Sequence, residues 1–195
     1  MSELNVLAVS GSLNPDSVTR TVIDNIAGRL RDAGATVDSL DFHTAPLPLF
    51  DPKEAWGKPE YQALKPRVVK ADVIILGTPD YHGSISSTLK NFLDHFWKEF
   101  AGKLFATVVA SHEKGLTVHD QLRTVARQCY AWAMPYGVSF VDKQDVVDGK
   151  VANDSFEKRL EMLARDIRVY GHLLAAQRAA DLTGTEPGMM AMHRK

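Results

Sequence analysis

The stretch Leu4–Arg20, LNVLAVSGSLNPDSVTR, decides the fold. Its first half is a run of small and branched apolar residues, and its second half is a turn of Gly, Ser, Asn, Pro and Thr. The next residues, VIDNIAGRLRDAG, place Val22, Ile23, Ile26, Ala27 and Leu30 at helical spacing. The order is therefore strand, turn, helix, with the turn at the strand's carboxyl end.

Such a turn suits an anion. The first amides of a helix lack partners within it and carry partial positive charge, so a phosphate placed there accepts several of them. Ser10, Ser12, Ser17 and Thr19 add hydroxyls, Arg20 adds a full charge, and Gly11 lets the backbone turn tightly. Asp16 or Ser17 could simply cap the helix, but capping alone does not call for so many hydroxyls. No Lys lies between Met1 and Lys53, which excludes a nucleoside-triphosphate loop, and the single Gly11 does not make a dinucleotide fingerprint. A hydroxyl-rich loop of this kind suits a monophosphate, with that of a flavin the obvious candidate.

The 195 residues fit one domain with a sizeable core. At 45% hydrophobic, 24% charged and a formal net charge of -1, the chain lacks the basic excess of a nucleic-acid or membrane-surface binder. No apolar run is long enough to span a bilayer, and the N-terminus carries neither the basic region nor the apolar core of an export signal. The lone Cys129 has no partner for an internal disulfide, which fits a reducing, cytoplasmic setting.

Further along, Ala35–Phe42 alternates as an edge strand, and His43–Tyr61, with four prolines, reads as a long loop. Within it Phe50 and Trp56 could cover a flat ligand, meet a partner subunit or anchor the loop to its own core. A short helix over 62–70 leads to Val73–Leu76, an unbroken apolar run typical of a central parallel strand. Thr78–Ser84 is a second polar turn, followed by an amphipathic helix from Ser86. Leu104–Ala110 is the fourth strand, Ser111–Gly115 a third polar turn and Leu116–Met134 the fourth helix, with Cys129 packed on it and Pro135 as its stop. Tyr136–Val141 is the fifth strand; Asp148-Gly149 marks a tight turn; Phe156–Leu182 is the last helix. Residues 1–182 thus form one domain, and 183–195 a flexible tail or a segment packed on a neighbouring subunit. Strand–helix alternation implies a parallel sheet covered on both faces. In the order 2-1-3-4-5 the three polar turns, after strands one, three and four, converge on one crevice.

These turns carry a resemblance to the NADPH-dependent FMN reductase family of flavodoxin-like proteins, which includes quinone, azo and chromate reductases. In SGSLNPDSVTR, Gly11, Ser12, Leu13, Ser17 and Arg20 match its pattern, while Asn14 stands where the family has Arg. In PDYHGSISSTLKNFLD, Pro79, Tyr81, Gly83, Ser84, Leu89, Lys90 and Asn91 match; Asp80 replaces Glu and His82 replaces Asn. LPLFDP at 47–52 is similar to the family's loop after strand two. The third turn, SHEKG, keeps Ser111 but is bulkier and more charged at His112, Glu113 and Lys114.

The resemblance implies a flavodoxin-like α/β three-layer sandwich with a five-stranded parallel sheet. It implies an enzyme that passes electrons from NADPH or NADH through bound FMN to a small acceptor: flavin, quinone, azo compound or metal ion. By the same resemblance Ser10, Ser12, Asn14, Ser17, Val18, Thr19 and Arg20 hold the FMN phosphate. Pro79, Asp80, Tyr81, His82, Gly83 and Ser84 line the ring, with Ser111 and His112 beside it. The family's third helix packs two subunits together, so a homodimer or homotetramer is expected, with Phe92, Phe96 and Trp97 as a suitable surface. His82 and His112 could donate a proton or simply be solvated, and no histidine spacing makes a metal site. A flavodoxin-type electron carrier is the other reading; its strong acidity is missing here.

Overall fold

The computed structural model describes residues 3–194; Met1, Ser2 and Lys195, the ends of the expected domain and tail, lie outside the described residues. The chain runs β1 (Asn5–Ser10), α1 (Val18–Asp32), β2 (Thr36–Asp41), α2 (Pro59–Lys70), β3 (Val73–Tyr81), β4 (Ser84–Ile85), α3 (Ser87–Asp94), β5 (Leu104–Ala110), α4 (Leu116–Gln128), β6 (Trp132–Ala133), β7 (Val138–Phe140), β8 (Val146–Val147), β9 (Lys150–Val151) and α5 (Asp154–Thr183). The main sheet has the order β2-β1-β3-β5-β6, with β7 also on β5 and β4 on β3. All its pairings are parallel except the β3–β4 hairpin. This is the flavodoxin-like fold, with the expected order 2-1-3-4-5 once the short hairpin strand is set aside.

Alternation along the central strands builds the three layers. Val73 and Ile75 of β3 join one core with Val22, Ile26 and Leu30 of α1 and Leu160 and Ile167 of α5. Ile74 and Leu76 join the opposite core with Leu64 of α2, Phe92 of α3 and Leu122 of α4. A strand buried on both faces stays apolar throughout, which is why β3 reads as an unbroken run. Each fully buried aliphatic side chain stabilises the fold by about 1.5–3 kcal/mol.

Several expectations need correction. The fourth helix ends at Gln128, not Met134: Cys129 caps it, Tyr130 turns with φ 56°, and Trp132–Ala133 pairs with the start of β5. The edge position beyond β5 is therefore filled by two short strands rather than by one run from Tyr136 to Val141. Cys129 is buried in the core as expected. The second helix starts at Pro59, because proline is at home in a helix's first turn, and it tolerates Pro66 inside. Phe92 and Phe96 are core residues at 0% and 3% exposure, so of the expected subunit surface only Trp97 faces outward. The terminal segment folds back on its own chain: Met190 is buried, its Sδ 3.0 Å from where a Cβ on Gly102 would stand, and Arg194 Nε donates to the Asp181 carbonyl at 2.8 Å. Asp148 and Gly149, both at positive φ, close the β8–β9 hairpin as their sequence implies.

Candidate functional site

The first turn leaves β1 pinned to its neighbour. The Gly11 amide donates to the Gly77 carbonyl at 2.8 Å, and Ser86 Oγ donates to the Gly11 carbonyl at 2.6 Å. A Cβ on residue 11 would come within 2.8 Å of Leu89 Cβ, so glycine is required for this close approach. Ser17 caps α1, its Oγ accepting from the Arg20 amide at 3.2 Å. Ser12 Oγ accepts from the Asn14 amide at 3.3 Å, and Asn14 Oδ1 from the Asp16 amide at 2.9 Å. Both serine hydroxyls keep their own protons to donate. Val18 and Thr19 open the helix, their amides have no acceptor among the described residues, and no acidic residue stands in the first turn.

The turn therefore presents donors to an anion, and one buried group has nothing else to bind: Ser10 is 2% exposed and its Oγ lacks a hydrogen-bond partner among the described residues. A monophosphate fits this donor set. Arg20 does not stand free toward it. Its Nε meets Asp41 Oδ2 at 2.6 Å, and its terminal nitrogens donate to the carbonyls of Pro15 and Asn14, so it braces the turn against the end of β2.

The second turn is a two-residue hairpin. Asp80 pairs with Ile85 and Tyr81 with Ser84, while His82 (φ 58°) and Gly83 (φ 75°) form the corner. Asp80 Oδ1 accepts from the Gly83 amide at 2.8 Å, and Pro79 lies just before the pair, its carbonyl accepting from Thr78 Oγ1. Asp80 Oδ2 also accepts from Ser111 Oγ at 2.8 Å, joining this hairpin to the third turn. Ser111 and Ser139, on and beneath that turn, tie it to β7 through the Phe140 and Lys114 carbonyls. Asp80, His82, Gly83, Ser111 and His112 line one cleft of about 460 Å³, with Leu116 and Thr117 on its far side. The first-turn residues do not line this cleft; they sit across the crest of β3, joined to it through Gly77 and Ser86.

Two side chains act as clamps, and of these Gln121 belongs to none of the motifs. Gln121 of α4 accepts from Ser84 Oγ at 3.1 Å and the Ile85 amide at 3.2 Å, and donates to the Gly83 carbonyl at 3.2 Å. Its one amide holds three groups of the hairpin, and its only signal in the sequence is position, two turns into a helix that follows a polar turn. Asn91 of α3 does the same for the loop after β2, accepting from the Phe50 amide at 2.8 Å and donating to the Pro48 carbonyl at 2.9 Å. Phe50 then packs edge-on against the buried His95, which fixes the loop to α3, and against Trp56, which remains 49% exposed.

The model of the NADPH-dependent FMN reductase family matches residues 4–145, a span that includes all three turns. The chain belongs to this family. It is accordingly an oxidoreductase whose cofactor is FMN and whose electron donor is NADPH or NADH. An FMN-dependent NADPH-azoreductase of Staphylococcus haemolyticus is 27% identical over 173 residues, covering 83% of this chain and 92% of the relative. Among solved structures, the flavoenzyme NAD(P)H:(acceptor) oxidoreductase FerB from Paracoccus denitrificans shares the fold at a TM-score of 0.69 and 18% identity, covering 89% of this chain and 98% of the other. An apo NADH:FMN oxidoreductase shares it at 0.68 and 21%, covering 86% and 89%. No described helix is long and apolar enough to cross a membrane.

Proposed function

We propose that the acceptor is a flat, apolar aromatic molecule of the azo or quinone class. The observation that carries this reading is the rim of the crevice. Leu13 (54% exposed), Leu49 (86%), Tyr81 (54%) and Leu116 (67%) lie on the turn after β1, in the loop after β2, at the end of β3 and at the start of α4, and Leu116 lines the cleft itself. Apolar side chains left in water at a ligand crest are stabilised by covering a flat apolar ligand, and they give a metal oxyanion no donor. The azoreductase relative supports the same class.

In this reading the hydroxyls of Ser10, Ser12 and Ser17 and the amides of Val18 and Thr19 hold the FMN phosphate, with Asn14 and Arg20 shaping the turn. Residues from Pro79 to Ser84 lie along the ring, and Ser111 and His112 close its far side. When bound, the flavin supplies the hydride and electron chemistry; the chain binds it, orients it and sets its electrostatics. With one buried cysteine and a nicotinamide donor, the chain works in the cytoplasm.

The test is an acceptor comparison with the FMN-loaded protein at saturating NADPH. An azo dye and a benzoquinone are expected to exceed chromate and a ferric chelate in kcat/KM by about tenfold or more, the scale of one or two apolar contacts. Leu49→Ala should lower the azo and quinone values and leave the ferric chelate unchanged. Chromate equal to or better than the azo dye would reject the assignment.

A further inference from the structure

Beneath the third turn, α4 carries a buried histidine. His119 is 9% exposed, and its ring fills the space a side chain on residue 137 would need: a Cβ there would stand 2.2 Å from Cε1 and 2.3 Å from Nδ1. Glycine at 137 is thus the partner of this ring. Nε2 lies 2.9 Å from Ser139 Oγ, and Nδ1 lies 2.8 Å from Thr107 Oγ1. Ser139 Oγ donates to the Lys114 carbonyl. That bond uses the one hydroxyl proton of Ser139, so Nε2 carries the hydrogen and donates to Oγ. Nδ1 is then bare and accepts from Thr107. Hydrogen bonds therefore run one way, from Thr107 through His119 and Ser139 to Lys114.

The chain ends where the backbone is strained. Lys114 has φ 62° and Gly115 φ 59°, two consecutive left-handed residues at the corner that shapes the cleft beside Asp80. For a lysine this conformation is strained and persists only where surrounding bonds hold it.

We propose that His119 is a positioning residue for the flavin and nicotinamide site: as the neutral Nε2–H tautomer it pins the Lys114–Gly115 corner through Ser139, and its protonation releases the corner. This rests on reading the cleft between the second and third turns as part of that site. Protonation makes Nδ1 a donor, so the Thr107 hydroxyl has to turn and accept, and it puts a buried charge beside Arg123 of α4 and Arg159 of α5 against Asp120; relieving that charge toward water is what draws the ring off Ser139. β5 and β7 face the ring with the uncharged Thr107 and Ser139. Burial and the two arginines hold the imidazole below its ordinary value of 6.5, which keeps it neutral at neutral pH.

The experiment uses the full chain loaded with FMN. Nitrogen-15 spectra of labelled histidine should show one Nε2–H tautomer that titrates below pH 6.5. In the wild type the KM for NADPH should rise on the acid side of that titration while kcat changes less. His119→Gln, whose amide donates to Ser139 and does not titrate, should keep the neutral-pH KM and lose the acid-side rise. Ser139→Ala should raise KM about fivefold at neutral pH, the worth of one neutral hydrogen bond. Should His119→Gln prove unstable, the half-buried Ser139 and the wild-type tautomer still decide the matter. An Nδ1–H tautomer, an acid-side rise that survives in His119→Gln, or an unchanged KM in Ser139→Ala overturns the proposal. A fluorescence titration separates the two layers: absence of flavin quenching by the wild type removes the site reading itself, whereas quenching with a wild-type pH profile in His119→Gln removes only the role of His119.

Discussion

The Ser111 hydroxyl donates to the Asp80 carboxylate at 2.8 Å, which makes one wall of two turns that follow different strands. The same carboxylate accepts from the Gly83 amide, and Ser111 Oγ accepts from the Glu113 amide at 3.1 Å. Asp80→Ala removes two bonds to a charged acceptor, each worth about 1.5–3 kcal/mol. FMN affinity, read by fluorescence quenching, is expected to fall about tenfold or more. Ser111→Ala removes one of them and should fall less. Equal losses in the two variants would mean that Asp80 does not organise the hairpin.

Ser10 should respond with opposite signs in the two states of the protein. Its buried Oγ has no hydrogen-bond partner among the described residues, so Ser10→Ala relieves a desolvated hydroxyl and should leave thermal stability without flavin unchanged or raised. With the charged phosphate as its partner, the same change should weaken FMN binding about tenfold or more. Loss of stability without loss of affinity would place the hydroxyl outside the phosphate site.

Arg20 and Asp41 test what the arginine does. Their 2.6 Å contact makes the pair a brace between the first turn and β2. Asp41→Ala breaks the ion pair alone, whereas Arg20→Ala also frees the Pro15 and Asn14 carbonyls, so both should weaken FMN binding and Arg20→Ala by somewhat more. A much larger loss in Arg20→Ala would mean that the guanidinium itself meets the phosphate.

β1, β3 and β5 were legible because strands buried on both faces must be apolar throughout, and the first two turns because Gly11 and His82-Gly83 sit where the backbone has to turn tightly. The edge beyond β5 was not legible. Ala131 to Met134 continues the apolar spacing of α4, and only tertiary pairing of Trp132–Ala133 with Leu104–Phe105 turns it into a strand. Pairings of side chains were equally hidden. Arg20 reads as a free charge until Asp41, 21 residues away, takes it, and nothing near Gln121 in the sequence announces the hairpin it holds.

That clamp is accessible to mutation. Gln121→Ala strips the hairpin of three bonds while leaving the two cores untouched. Faster amide exchange at Gly83 and Ile85 and a raised KM for the acceptor are expected, with the melting temperature within a few degrees of wild type. Protection at those amides equal to wild type would show that the β3–β4 pairing holds itself.

At the other end of the sheet Lys103 is 1% exposed, and its Nζ donates to the carbonyls of Val69, at 2.9 Å, and Ala71. Burial, with Arg178 adding repulsion, pushes this amine down to about 7, against partial support from Asp72 and Glu99. A neutral amine has two N–H groups, which match the two carbonyls it meets. The unfolded chain keeps this proton up to about 10.5, the folded chain only to about 7. Between those values the unfolded state binds more protons, so stability rises with pH; below both, the buried charge is present in full and its cost is undiminished. Urea denaturation should therefore show the wild type gaining on Lys103→Met as pH rises from 7 to 10. Lys103→Met, which leaves the two carbonyls without a partner, should be the less stable protein at high pH by about 1–3 kcal/mol. At pH 5 the gap should narrow or reverse, because methionine buries no charge there. Parallel curves for the two proteins across this range would mean that Lys103 keeps its proton in the fold.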